Sequence, residues 1–214
     1  MAAYGNMTGP PSGNAKRPRE LLVAGRPVGL TSPVDDDNRD QLAAKLVPET
    51  VRRSLSQAGA ILTGYELVKS SIIDGLRGFF TLGLHPTPSS GYETHVLALA
   101  PGKPFQASVA WLVSMDALHP EHVEALENIR AHRHKLAHEL ANFLVDLDVE
   151  VDTRVLSDLR DVMAALDRFW ISIDLQTNPD FDGVDVDLDG AQTGSGILFD
   201  YLLGLVGTEG PLIG

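Results

Sequence analysis

The chain has 214 residues, 43% of them hydrophobic, and a formal net charge of −12. That is enough apolar content for a core and the length of one domain with a tail. The acidity argues against a general nucleic-acid coat protein, whose affinity comes from neutralising phosphates. The chain has no cysteine, which excludes disulfides, zinc–thiolate sites and cysteine catalysis.

No apolar run approaches the ~18 residues that would span a membrane, and no apolar stretch follows the N-terminal charges as in a secretory signal. A cytoplasmic protein with no membrane partner is expected. Residues 1–38 are predicted to form a flexible N-terminal tail, because Pro10, Pro11, Pro18, Pro27 and Pro33 interrupt regular structure. Within it, Lys16-Arg17-Pro18-Arg19 is a solvated basic cluster and Leu21-Leu22-Val23 a short apolar island. Asp35-Asp36-Asp37-Asn38 would cap a helix starting near Asp40. Residues 39–214 are predicted to be one helical domain.

From Pro48 the pattern is that of a long amphipathic helix to about Phe80, with Val51, Leu55, Ala58, Leu62, Tyr65, Val68 or Lys69, Ile72 and Leu76 recurring at three- and four-residue steps. Gly59, Gly64, Gly75 and Gly78 are costly inside it, and predict close helix–helix approach or a break near Gly75. Residues 83–94 read as a loop, from Pro86, Pro88, Ser89, Ser90 and Gly91. A short helix over 105–118 carries Trp111. The next runs over 120–147, with Pro120 in its first turn and Glu121 near its start. Asp152 or Thr153 caps a further helix to about residue 176, which Pro179 ends. Residues 180–194 form an acidic loop, and 195–206 a last apolar helix. With no alternating runs, the class is all-α, and four main helices in an antiparallel bundle are expected.

The helix over 120–147 holds the densest chemistry. Residues 130 to 138 carry three histidines, His132, His134 and His138, and three cations, Arg130, Arg133 and Lys135. Such a basic concentration in an acidic chain asks for a local cause. Counting 100° per residue, Arg133 falls at the edge of the core face and His138 about 140° around from it. One helix cannot easily close both on a single phosphate, whereas two copies about a twofold axis can.

Arg133, the polar His134, and His138 after four intervening residues resemble the signature of the HEPN family of helical proteins: arginine, usually a polar residue, then histidine after about four to six positions. The resemblance covers this short motif and the helical layout of the body. It implies a metal-independent endoribonuclease, acting as a toxin or antiviral-defence effector, that cleaves RNA through the substrate's own 2′-hydroxyl. By resemblance His138 is the acid/base, a role imidazole can fill because it exchanges protons under mild conditions. Arg133 is the phosphate clamp, holding charge with paired donors, and His134 orients one of them. Arg130, Lys135 and His132 would guide the RNA strand. The resemblance further implies a homodimer with the active site at its interface and a nucleotidyltransferase antitoxin as partner. The alternative is a non-catalytic HEPN-like binding or assembly subunit, which the net charge favours.

No cofactor or metal is expected. His134 and His138, four residues apart, share one helix face as zinc sites require. However, a His-Glu-x-x-His motif starting at His138 needs histidine where Asn142 stands. His119 and His122 make another pair. Asp185, Asp187 and Asp189 before Gly190 imitate the start of a calcium loop, but Gly196 occupies the place of its closing glutamate.

Overall fold

The computed structural model describes residues 33–82 and 88–207. The basic cluster at 16–19, the island at 21–23 and most of the expected tail lie outside the described residues. Among them the chain is all-α: seven α-helices, two 3₁₀ turns and no strand. The helices are α1 (Pro33–Lys45), α2 (Pro48–Leu82), α3 (Pro88–His95), α4 (Pro104–Ser114), α5 (Pro120–Val145), α6 (Arg154–Thr177) and α7 (Gly194–Leu205). None is long and apolar enough to cross a membrane.

The core forms where α2, α5 and α6 pack on one another, each against both others. From α2 come Ile61, Val68, Ile72 and Leu76, from α5 Leu126, Ile129 and Leu136, and from α6 Leu156, Leu159, Val162 and Leu166, all fully buried. Of the predicted stripe of α2, Ala58, Tyr65, Val68 (rather than Lys69), Ile72 and Leu76 are buried; Val51 and Leu62 are half-buried, Ile61 taking the core position beside Leu62, and Leu55, at the outer end, is exposed. Leu97–Leu99 makes a 3₁₀ turn, and α4 and α3 close over the C-terminal part of α2. There Phe79, Phe80, Trp111, Phe169 and Trp170 meet ring to ring at 4.9–6.5 Å.

Several boundaries differ from the sequence reading. Helix α1 begins at Pro33, so Asp36, Asp37 and Asn38 lie within its first turns instead of ahead of it. The expected loop over 83–94 contains α3. Pro88 opens that helix, where a missing N–H costs nothing, and Tyr92 with the following Val96 sinks into the core, the Tyr92 Oη lying 2.9 Å from the buried Ser108 Oγ. Helix α4 stops at Ser114, short of 118, because Asp116 takes a positive φ of 58° and turns the chain. At α6 Thr153 stands at the N-cap without a capping side-chain bond, and it is the preceding Asp152 whose Oδ1 accepts the Arg154 backbone N–H at 3.0 Å.

Helix α2 does not break at Gly75. That glycine admits Trp170, whose indole would lie 2.7 Å from a Cβ there, and Gly64 admits Phe199 of α7 in the same way at 2.5 Å. Gly59 and Gly78 face open space. Helix α5 is not straight. Glu139 leaves helical geometry (φ −125°, ψ 24°). Residues eleven apart in a straight helix are separated by about 16 Å of rise. Even so, the His132 and Phe143 rings lie 5.9 Å apart. The bend folds the last turns of α5 back and buries Phe143.

Helix α7 docks on α2 and α6. Thr193 caps it, its Oγ1 accepting the Gly196 N–H at 3.3 Å and donating to Asp167 Oδ1 at 2.5 Å. Asp167 is only 2% exposed, and burial pushes its carboxyl pKa up, with the Thr193 hydrogen bond opposing. A side chain at Gly196 would overlap that carboxylate.

Candidate functional site

The basic stretch lies on α5 just before the bend, and its side chains part to two sides. On one side Arg133 reaches across to α2. Its Nη2 donates to Glu66 Oε1 at 2.9 Å, and its guanidinium lies 5.5 Å from the Tyr65 ring centroid. The pairing follows from position: Arg133 stands at the edge of the core face, so its stem runs along apolar surface and its head emerges beside α2. Its side chain stays 36% exposed, while Nε is buried without a hydrogen-bond partner. Glu66 also accepts from Lys69 Nζ at 2.9 Å; that bond first, then the charges of Lys69 and Arg133, hold its carboxyl below the usual value against some desolvation.

A hollow of about 460 Å³ opens here, lined by Tyr65, Glu127, Arg130, Ala131, Arg133 and His134. Arg130 pairs with Glu127 at 3.5 Å. His138 is exposed and does not line the hollow; it is joined to it through His134, whose ring centroid lies 4.4 Å from its own.

His132 and Lys135 face the other flank. There a hollow of about 650 Å³ is lined by Asn128, Ala131, His132, Lys135, Asp152, Arg154, Val155 and Asp158. Burial lowers the His132 pKa, so its ring favours the neutral form, and its Nε2 is buried without a partner. Asp152 grips Arg154 through both carboxylate oxygens, at 3.0 and 2.9 Å, and those bonds lower its pKa. Burial, with the charges of Asp161 and Asp152, raises that of Asp158. The Lys135 ammonium lies 5.8 Å from the Phe143 ring centroid.

Of the expected residues, Arg130, Arg133 and His134 thus gather on one flank with His138 at its rim, while His132 and Lys135 share the other. Ala131 borders both hollows. In a single chain Arg133 and His138 do not close on one cleft. Sequence reasoning missed Glu66 and Asp158, and read Tyr65 only as a core position and Asp152 only as a helix cap. Glu66 carries only a local signal, its three-residue step to Lys69; its pairing with Arg133 is 67 residues distant. Among the described residues no group of three or more His, Asp or Glu could hold a metal ion. Asp185, Asp187 and Asp189 are exposed, and Asp187 Oδ1 accepts the Asp189 N–H at 3.1 Å, a local turn.

The fold class this defines is all-α, with an arginine–histidine motif on one helix. Comparison with protein-family models, with curated proteins and with solved structures finds no match for the chain.

Proposed function

We propose that the chain is a metal-independent endoribonuclease of HEPN type, a toxin or antiviral-defence effector acting in the cytoplasm. One observation carries the reading. An arginine, a polar histidine and a second histidine sit together on one exposed turn-and-a-half of helix, with the guanidinium beside a hollow and both imidazoles accessible. These are the groups that phosphodiester transfer to a neighbouring 2′-hydroxyl requires: proton transfer near neutral pH and a cation for the phosphorane.

In this reading two protomers pair about a twofold axis near α5, so that the Arg133 of one and the His138 of the other serve one phosphate. His134 orients, and Arg130, Lys135 and His132 lead the strand. Phosphate displaces Glu66 from Arg133, or shares the guanidinium with it, since five N–H donors are available. A nucleotidyltransferase antitoxin is the partner that fits such an effector.

The test is incubation with total RNA in EDTA. Cleavage leaving 2′,3′-cyclic phosphate ends is expected, and His138→Ala should slow it by about 10²–10⁴-fold. Equal cutting by His138→Ala and Arg133→Ala would refute the site. The Arg133–Glu66 ion pair and the net charge of −12 favour the second reading, a non-catalytic HEPN-like binding or assembly subunit. No cleavage under any condition, with a protein partner co-purifying, would favour it.

A further inference from the structure

Two histidine pairs come into ring contact among the described residues, and they differ in what their nitrogens are free to do. At the start of α5 the His119 and His122 centroids are 5.6 Å apart. His122 Nδ1 accepts the His119 backbone N–H at 3.1 Å. A neutral imidazole that accepts at Nδ1 carries its proton on Nε2, so no lone pair remains to ligate a metal. His134 and His138 are unlike this. Their centroids are 4.4 Å apart with the planes tilted by 57°. Both are exposed, and no hydrogen bond among the described residues engages either ring. Each neutral ring therefore keeps a free lone pair.

The geometry suits one shared ion. A four-residue step sets the two Cβ atoms about 5–6 Å apart on one face. Two nitrogens at 2.0–2.1 Å from a tetrahedral ion lie about 3.3 Å apart, which rings already in contact reach by small side-chain rotations. Repulsion from nearby cations is offset, since Arg130 is paired with Glu127 at 3.5 Å and Arg133 with Glu66 at 2.9 Å. Imidazole selects zinc, nickel or copper over magnesium or calcium, which prefer oxygen.

We infer that His134 and His138 form a two-imidazole chelate for a divalent transition-metal ion, with water completing the coordination, and that the bound ion silences the site. Having two protein ligands and no third among the described residues, the pair holds a dissociable ion rather than a closed structural one. The lone pair that ligates the metal is the one His138 needs to accept a proton, so the ion is an inhibitor and not a cofactor. The chelate stands on geometry alone; the silencing rests on the ribonuclease reading.

The experiment is calorimetric titration of the full chain with zinc at neutral pH, beside RNA cleavage with and without zinc. Zinc binding is expected in the parent and in His122→Ala. Removing even an outer-shell partner of a metal ligand costs about 10–100-fold in affinity, and losing one of two ligands costs no less. His134→Ala and His138→Ala should therefore each weaken binding by about tenfold or more. His134→Gln, which keeps length and polarity, guards against a loss of fold, checked by circular dichroism. Zinc should stop cleavage and EDTA restore it. Zinc affinity unchanged by all three substitutions overturns the chelate. Zinc bound at the pair while cleavage continues overturns the silencing. A chain that binds zinc through the pair but never cuts RNA keeps the chelate and loses the ribonuclease reading. Cleavage that needs zinc overturns both the silencing and metal independence.

Discussion

Arg133 is held by two contacts of modest strength, an exposed ion pair and a cation–π approach to Tyr65. An exposed pair contributes about 0–1 kcal/mol and the ring contact about 0.5–1 kcal/mol. Arg133→Ala should therefore cost less than about 2 kcal/mol in a denaturant titration; a larger loss would make Arg133 a structural residue. His132 sets a pH dependence. Its folded pKa lies below the ordinary 6.5 because it is buried. Above that value neither folded nor unfolded chain protonates the ring. Below it the unfolded chain takes up the proton first, so stability falls as pH drops through the depressed folded value. His132→Phe should flatten the fall in melting temperature between about pH 8 and about pH 5; an unchanged slope would assign the dependence elsewhere. The residue types of the motif were legible in the sequence because they are contiguous. The partner Glu66 was not, because a pairing across 67 residues leaves no local pattern, and nothing local placed Asp152 and Asp158 of the next helix beside His132.

Among the elements, α2, α5 and α6 were legible because each repeats apolar residues at the helical period over many turns, and α3 was not. Its eight residues include Pro88, Ser89, Ser90 and Gly91, which locally favour a turn; burial of Tyr92 decides the outcome, and burial is a tertiary fact. The bend of α5 at Glu139 was equally hidden, since no proline marks it. The glycines of α2 could be counted but not sorted. The structure sorts them into two that accept a neighbour and two that face open space, which gives opposite expectations. Gly78→Ala meets nothing within 4 Å and should stabilise by about 0.5–1 kcal/mol. Gly75→Ala meets the Trp170 indole at 2.7 Å and should destabilise by about 1–3 kcal/mol. Chemical denaturation of the two variants tests the pair; the same sign for both would contradict the packing described.

At the scale of the whole molecule, a net charge of −12 surrounds a local group of three cations. RNA binding at such a site should weaken with salt only modestly, in proportion to the few phosphates neutralised. The dimer belongs to this scale too. Sedimentation at micromolar concentration should show two copies, and a monomer unchanged by RNA would count against a site shared between protomers. The outer face of α7 is apolar and exposed: Ile197, Leu198, Tyr201 and Leu205 lie on it, the last two exposed at 61% and 62%. The inner face of α7 is another matter. During synthesis α7 follows the helices it docks on, so the slot left by Gly64 and Leu159 for Phe199 stands open to water until it arrives. Seating α7 buries Asp167 and raises its affinity for protons. Docking of α7 is therefore coupled to proton uptake wherever the pH lies near the raised value, and α7 should be held more firmly in mild acid than in alkali, which amide hydrogen exchange along α7 at the two pH values would read.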